Sequence, residues 1–252
     1  KEKQDESNTD LRINQLIVYD GKFKYDVMSE GSPEGKFDPN HIAIDSFACN
    51  ISLKHFNKKN LNLYIRSIKG IEKSGIELKR LKARIKAEED IMTLSNFNIE
   101  LPGSSFSSDS IIIKNAGSLR SMAIDGELRC NNLSLNDFSP ILPKAFCNLP
   151  VLSFDICGHV DSTILVGDMI FEAKNHTLAL ECTANIVTPF DKSRKIEITF
   201  NRLNAKEKAI GRIVSFFKDA PEDITKKLGD TDIDGKLTIS MDSITGHANI
   251  HK

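Results

Sequence analysis

The amino-acid sequence predicts a mainly β protein: a long, curved antiparallel sheet with a few short helices. Three observations carry that expectation. Apolar residues recur with a period of two along much of the chain, short turn signals separate the runs, and helical periodicity is confined to two places.

The strand pattern is plainest at Leu61, Leu63 and Ile65, which alternate with Asn62, Tyr64 and Arg66. Leu81, Ala83, Ile85 and Ala87 alternate in the same way with Lys82, Arg84, Lys86 and Glu88. Successive side chains of a strand project to opposite faces, so each run has one apolar and one charged face. The second half repeats the pattern in Leu152, Phe154, Ile156; in Leu178, Leu180, Cys182, Ala184, Ile186; in Ile196, Ile198, Phe200; and in Leu237, Ile239, Met241. Half-solvated antiparallel strands have this alternation.

Asp20-Gly21, Lys73-Ser74-Gly75, Glu89-Asp90, Pro102-Gly103-Ser104, Lys174-Asn175-His176 and Thr245-Gly246 are turn signals that make hairpins the natural connection. The chain therefore reads as a meander of roughly a dozen strands, a regularity that suits a sheet growing by accretion better than a closed sandwich. Ala123-Ile124-Asp125-Gly126-Glu127-Leu128 is echoed by Asp232-Ile233-Asp234-Gly235-Lys236-Leu237 and more loosely by Phe154–Val160. Each copy sets a glycine inside a strand, where a bulge or bend is expected.

Helices are expected near 137–147 and 205–228. Asn204 with Glu207 reads as a capping box, after which Ala209, Ile210, Ile213, Val214 and Phe217 share one stripe as far as Pro221. A shorter helix is expected from Glu222 to Leu228, ending at Gly229, and Asp137 can cap a turn running through Ile141 to Phe146. Residues 1–10 read as a solvated lead-in of the kind left when a piece is cut from a longer protein. Residues 11–117 form a first β-meander segment, and 118–252 a second β-rich segment that contains the helices.

Composition narrows the function. With 34 Lys+Arg against 35 Asp+Glu, no overall positive charge drives binding to nucleic acid or to an anionic membrane surface. Apolar residues make up 40% of the chain, yet no uninterrupted apolar run reaches the roughly 18 residues of a spanning helix. The five cysteines (Cys49, Cys130, Cys147, Cys157, Cys182) form no C-x-x-C pair, and Cys130, Cys157 and Cys182 fall at apolar positions of alternating runs, where small buried hydrophobes are expected.

Candidate chemistry is sparse. Asp230-Thr231-Asp232-Ile233-Asp234-Gly235 matches the first half of a calcium loop, but Met241 stands where the bidentate Glu is needed. His247 and His251 lie in an alternating, strand-like run, where a four-residue spacing does not converge on a metal. His159 and Asp161 share a strand face without an accompanying nucleophile. Lys79, Arg80, Lys82, Arg84 and Lys86 put positive charge on the outward side of one strand, as a solubilising face, a guarded edge, or a contact with lipid head groups or an acidic partner. The expectation is a protein that is not an enzyme and needs no cofactor or metal.

The segment Leu11–Asp26, then Phe37-Asp38-Pro39-Asn40-His41-Ile42 and a strand ending Asn50-Ile51-Ser52-Leu53, resembles the TamB translocation and assembly module proteins of Bacteroides-type bacteria, in the AsmA-like superfamily. The resemblance extends through Ser74–Lys79, Ser139–Phe146 and Leu228–Gly235. It implies a long periplasmic body folded like a β-taco, or open β-roll, anchored to the inner membrane in the full-length protein. Its greasy groove would carry phospholipid towards the outer membrane, with barrel-type outer-membrane assembly proteins as partners and membrane contact made by parts outside this sequence. The groove-lining candidates are Leu61, Leu63, Ile65, Leu81, Ile85, Ile124, Leu128, Phe154, Ile156, Leu178, Leu180, Ile196, Ile198, Phe200, Leu237 and Ile239. Two other readings compete: a strand-pairing scaffold for outer-membrane protein assembly, and a ligand-free envelope β-sandwich.

Overall fold

The computed structural model describes residues 10–28, 36–57, 59–118, 121–147, 149–209 and 229–251. Thirteen strands are found among them. The first seven are β1 (Ile13–Asp26), β2 (His41–Phe56), β3 (Asn60–Glu72), β4 (Glu77–Glu88), β5 (Ile91–Glu100), β6 (Ser105–Lys114) and β7 (Ala123–Leu133). After a 3₁₀ turn at Leu135–Phe138 and a single helical turn, α1 (Lys144–Cys147), come β8 (Leu152–Val160), β9 (Ile164–Ala173), β10 (Leu178–Val187), β11 (Lys195–Ala205), β12 (Thr231–Ile239) and β13 (Ile244–His251). They form one antiparallel sheet in which spatial order equals chain order, with β1 and β13 as its two edges. The sheet is open, not closed into a barrel, and β6 and β7 pair directly, so it runs unbroken across the boundary expected at 117/118.

Turn chemistry accounts for most of the connections. In the turns after β8, β9 and β10, Asp161, Asn175 and Asp191 each accept hydrogen bonds from the backbone N–H and hydroxyl of the residue two positions on, Thr163, Thr177 and Ser193. These side chains imitate a backbone turn. Glu89, with φ of 52°, makes the tight reversal between β4 and β5. Two expected turns are strand instead. Asp20-Gly21 lies within β1, where the register shifts between Val18 and Gly21: the positive φ of Asp20 (51°) makes a bulge, not a reversal. Thr245-Gly246 lies inside β13, and the chain reverses earlier, where Ser240 donates its N–H to the carbonyl of Ser243. Met241 is consequently in that turn and exposed.

The helical expectations fare unevenly. Near the expected 137–147 the chain forms only the 3₁₀ turn at Leu135–Phe138 and α1 at Lys144–Cys147, with turn between them. Asp137 accepts from the N–H of Gly103 and from the hydroxyl of Ser104 (2.6 Å), which ties the β7–β8 connection to the β5–β6 turn. Asn204 makes no capping box, because it belongs to β11 and pairs with Ala179 and Asp232. The N–H of Glu207 is instead accepted by Asp230, which also holds Lys206 at 2.9 Å. Residues 207–209 are helical, and the rest of the expected stripe and the second helix lie outside the described residues.

Burial is thin. The buried apolar residues among those described are Cys49, Ile65, Ala83, Cys130, Ala173, Cys182 and Ala205, mostly small side chains on one face of the sheet. The accessible surface is 17028 Å² for 28.1 kDa, against about 11,000 Å² for a compact monomer of that mass. A single layer has no partner layer to cover it, and the face-to-face pair of sheets that a sandwich requires is not formed among the described residues.

Gly126, Gly158 and Gly167 stand side by side across β7, β8 and β9, in ladder stretches without a register shift. They are therefore points of close approach, not the bulges expected. A Cβ on Gly158 would overlap the carbonyl oxygen of Val166 and come within 2.8 Å of Gly167 Cα, whereas one on Gly117 would meet nothing within 4 Å. Gly158→Val is expected to destabilise by about 1–3 kcal/mol, read as a lower urea midpoint at unchanged slope, while Gly117→Ala leaves the midpoint in place.

Candidate functional site

Directly paired residues on neighbouring strands project from the same face, so the ladders allow the faces to be followed across the whole sheet. From Ile239 the pairing runs through Ile196, Ile186, Leu165, Val160, Ile124, Ile113, Met92, Ala87 and Leu61 to Phe56. A parallel line runs from Leu237 through Ile198, Ala184, Gly167, Gly158, Gly126, Ile111, Leu94, Ile85 and Leu63 to Leu53 and Ile13. All sixteen expected groove residues fall on this one apolar face. Leu81 faces Ile68 and Ile99; Leu128 faces Ile156; Phe154 faces Cys130 and Phe171; Leu178 and Leu180 face Ala205 and Leu203; Phe200 faces Cys182 and Gly235; and Ile65 faces Ile51 and Ala83.

The same face carries residues that simple alternation hides. In β5, Met92 and Leu94 are in phase with Phe97 and Ile99 only because Asn96, at φ 50°, inserts an extra residue. In β6 the register shift between Ser107 and Ile111 separates Phe106 from Ile111 and Ile113. In β9, Leu165, Met169 and Phe171 face the apolar side, but Val166 and Ile170 are apolar on the other, so no alternation shows. A one-residue phase slip at an Asn was the available signal for β5.

Two hollows interrupt the apolar face. The glycine row Gly126–Gly158–Gly167 floors a trough of about 250 Å³ walled by Ile111, Ile124, Leu128, Ile156, Val160 and Leu165. A hollow of similar size, about 260 Å³, lies at the opposite ends of β8 to β10, between Leu152, Phe171, Ala173 and Leu178 of the sheet and Leu149, Pro150, Lys208 and Ala209 of its connections. Either exceeds the roughly 150 Å³ that holds a benzene molecule in an apolar cavity. The long connections 27–40, 134–151 and 206–230 follow odd-numbered strands, so each leaves and rejoins the sheet at this second end. The hydrogen bond from Phe37 N–H to the Pro140 carbonyl joins two of them.

The opposite face is polar. Arg80, Lys82, Arg84 and Lys86 line it on β4, an interior strand between β3 and β5, so they guard no edge. Lys79 is out of phase with them and donates to the Pro102 carbonyl at 3.5 Å. Cys157 is exposed on this polar face opposite Glu127, not buried as expected, whereas Cys130 and Cys182 are buried on the apolar face, and all five thiols are free. His251 pairs with Asp234 at 2.6 Å across β13 and β12. In the half calcium loop, Asp230 is taken by Lys206 and the Glu207 N–H, while Asp234 holds His251 and Asn249, so the carboxylates serve separate partners.

His159 is clamped between two carboxylates, Nδ1 at 2.6 Å from Asp125 and Nε2 at 3.3 Å from Asp161. Hydrogen bonds donated first to Asp125 and then to Asp161 raise its pKa above the ordinary value. Asp161 is in turn held well below the usual carboxylate range, chiefly by the hydroxyl and N–H of Thr163. The cluster links a strand to a turn across β7–β9 and brings up no nucleophile among the described residues.

Comparisons with protein-family models, with curated proteins and with solved structures returned no match. Among the described residues, no helix is long and apolar enough to cross a membrane.

Because His159 gains its partners on folding, its stabilising contribution is full below the unfolded histidine pKa near ~6.5 and is lost as pH rises through the higher folded value. A histidine-resolved NMR titration is expected to place His159 above the ordinary histidine value, and Asp125→Asn to bring it down. An unshifted His159 would contradict the clamp.

Proposed function

We propose that this chain is a bridge-like lipid-transport segment of the cell envelope. It holds phospholipid acyl chains against its apolar face and lets them pass between inner and outer membrane through the periplasm, in support of outer-membrane biogenesis. The observation that carries the proposal is the phase-matched apolar face, continuous over thirteen strands and uncovered by a second layer among the described residues. At about 4.8 Å per strand it is about 60 Å long. Soluble monomers rarely leave an apolar patch larger than a few hundred Å² open to water.

Acyl chains satisfy that surface without demanding directional chemistry. Each methylene withdrawn from water contributes about 0.8 kcal/mol, and a row of Leu, Ile, Phe and Val offers similar contacts at each strand, so no deep trap halts a chain. Head groups stay in water along the open rim. The segment carries out no reaction and takes no cofactor. The resemblance of Leu11–Asp26 and the later motifs to the TamB proteins points the same way.

One feature favours the strand-pairing scaffold as a second reading. Edge strand β1 is interrupted by bulges and carries Lys22, Lys24 and Asp26, whereas β13 has no register shift, no proline and no lysine, and every one of its residues is exposed. Natural edges are normally guarded by such devices. A strand from a barrel-type outer-membrane protein could add there.

Native mass spectrometry of the purified chain, with lipid extraction of the same sample, tests the first reading. Phospholipid is expected to co-purify and to be lost in Ile156→Asp, whose side chain is 41% exposed on the apolar face, with strand content by circular dichroism unchanged. Lipid-free protein that also excludes added phospholipid would overturn the conduit and leave the scaffold, whose strand addition is expected to fail in Ala248→Lys.

A further inference from the structure

The near-zero net charge conceals a separation of charge on the polar face. Arg66 and Lys69 of β3 and Arg80, Lys82, Arg84 and Lys86 of β4 form a basic band. Asp125, Glu127, Asp155, Asp168, Glu172 and Glu181, from β7 to β10, form a predominantly acidic one, in which Arg129 pairs with Glu127 and His159 and Lys114 with Asp125. Their centres are five strand intervals apart, about 24 Å. That is roughly three Debye lengths at physiological ionic strength, so the bands act as separate surfaces.

The basic band is only partly neutralised from within: Arg80 stands opposite Glu100, and the others mostly face neutral residues. Arg84 stands opposite Tyr64 and Ser95, Lys86 opposite Asn62 and Thr93, and Lys82 opposite Asn98. Arg66 donates to Ser52 and Asn50 and lies 5.0 Å above the Tyr64 ring. Among the described residues, Lys86 alone of the six has an ion-pair partner, Glu88 at 2.7 Å. Elsewhere on the face several cations are paired: Arg129 with Glu127 and Asp109, and Lys195 and Lys236 with Glu197. Cations concentrated on adjacent strands repel one another, and an external anionic surface relieves that cost.

The arrangement also matches a planar partner. Alternate residues of a strand are about 6.8 Å apart, so Arg80 to Lys86 extends over about 20 Å along one face, with β3 alongside. Clusters of about four to eight Lys and Arg residues bind anionic lipid surfaces in this way. We infer that the basic band on β3 and β4 docks on the anionic surface of a bilayer, while the acidic band on β7 to β10 holds the rest of the sheet away. The conduit would thereby approach the membrane by its β1 side. This orientation rests on the conduit reading; the docking itself does not.

Vesicle flotation of the whole chain tests it. Binding is expected to vesicles of phosphatidylcholine containing phosphatidylglycerol but not to phosphatidylcholine alone, at about 0.1 M salt, and to vanish near about 1 M, where the Debye length falls to ~3 Å. Replacing Arg80, Lys82 and Arg84 together with Gln, at exposed or half-buried polar-face positions, is expected to weaken binding by about a hundredfold. The same variant is expected to keep its co-purified phospholipid, which separates this inference from the conduit reading. Binding equal on both vesicle types, binding unchanged in the triple variant, or salt-sensitive self-association in place of vesicle binding would each overturn it.

Discussion

Everything in this protein depends on the phase of its side-chain alternation being preserved from one strand to the next. A one-residue slip at any ladder would turn a whole strand's apolar set to the charged side. Eight of the twelve ladders do contain a register shift, yet Ile, Leu and Phe remain on one face beyond each shift. The bulges absorb extra residues while keeping the face: Asn96 does so in β5 and Asp20 in β1. The apolar face is therefore a property of the ladder as a whole more than of any one strand.

With only one layer among the described residues, that face is not buried there as in a sandwich. Small buried side chains such as Ala83, Ala173 and Cys130 are what a single sheet can cover with its own neighbours. The larger ones remain half open, and the glycine row adds a depression in which backbone replaces side chain. The longest connections follow odd-numbered strands, so the two rims of the face differ in how much chain joins their strands. The proposed passage of acyl chains uses the exposed strip and leaves the two rims chemically different.

Much of this was legible in the sequence, for a physical reason: where a strand is apolar on one side only, its period is visible, as at 61–65, 81–87 and 178–186. Those runs supplied the fold class and residues that the ladders bring onto a common face. The period disappeared where a bulge reset it, as at Asn96, or where both sides are apolar, as in β9 with Val166 and Ile170. Dipeptides misled for a related reason. Asp20-Gly21 and Thr245-Gly246 favour reversal locally, but pairing with β2 and β12 outweighs that preference and keeps the chain extended. The Asn204 capping box failed because a distant carboxylate, Asp230, supplied the cap, and the charge bands on the polar face could appear only after non-adjacent segments were set side by side.

The strict equality of chain order and spatial order has a consequence for how such a molecule forms and grows. Each strand finds its partner immediately before and after it, so loop closure is short except at the connections 27–40, 134–151 and 206–230, and stability is close to a sum of nearest-neighbour terms, as in solenoid arrays. Assembly can begin at any hairpin and spread both ways, and unravelling starts at a terminal strand without dissolving the middle. Inserting or deleting one hairpin would lengthen or shorten the sheet by two strand widths, about 10 Å, and leave every other ladder intact. A fold of this kind can be adjusted to a span by duplication alone.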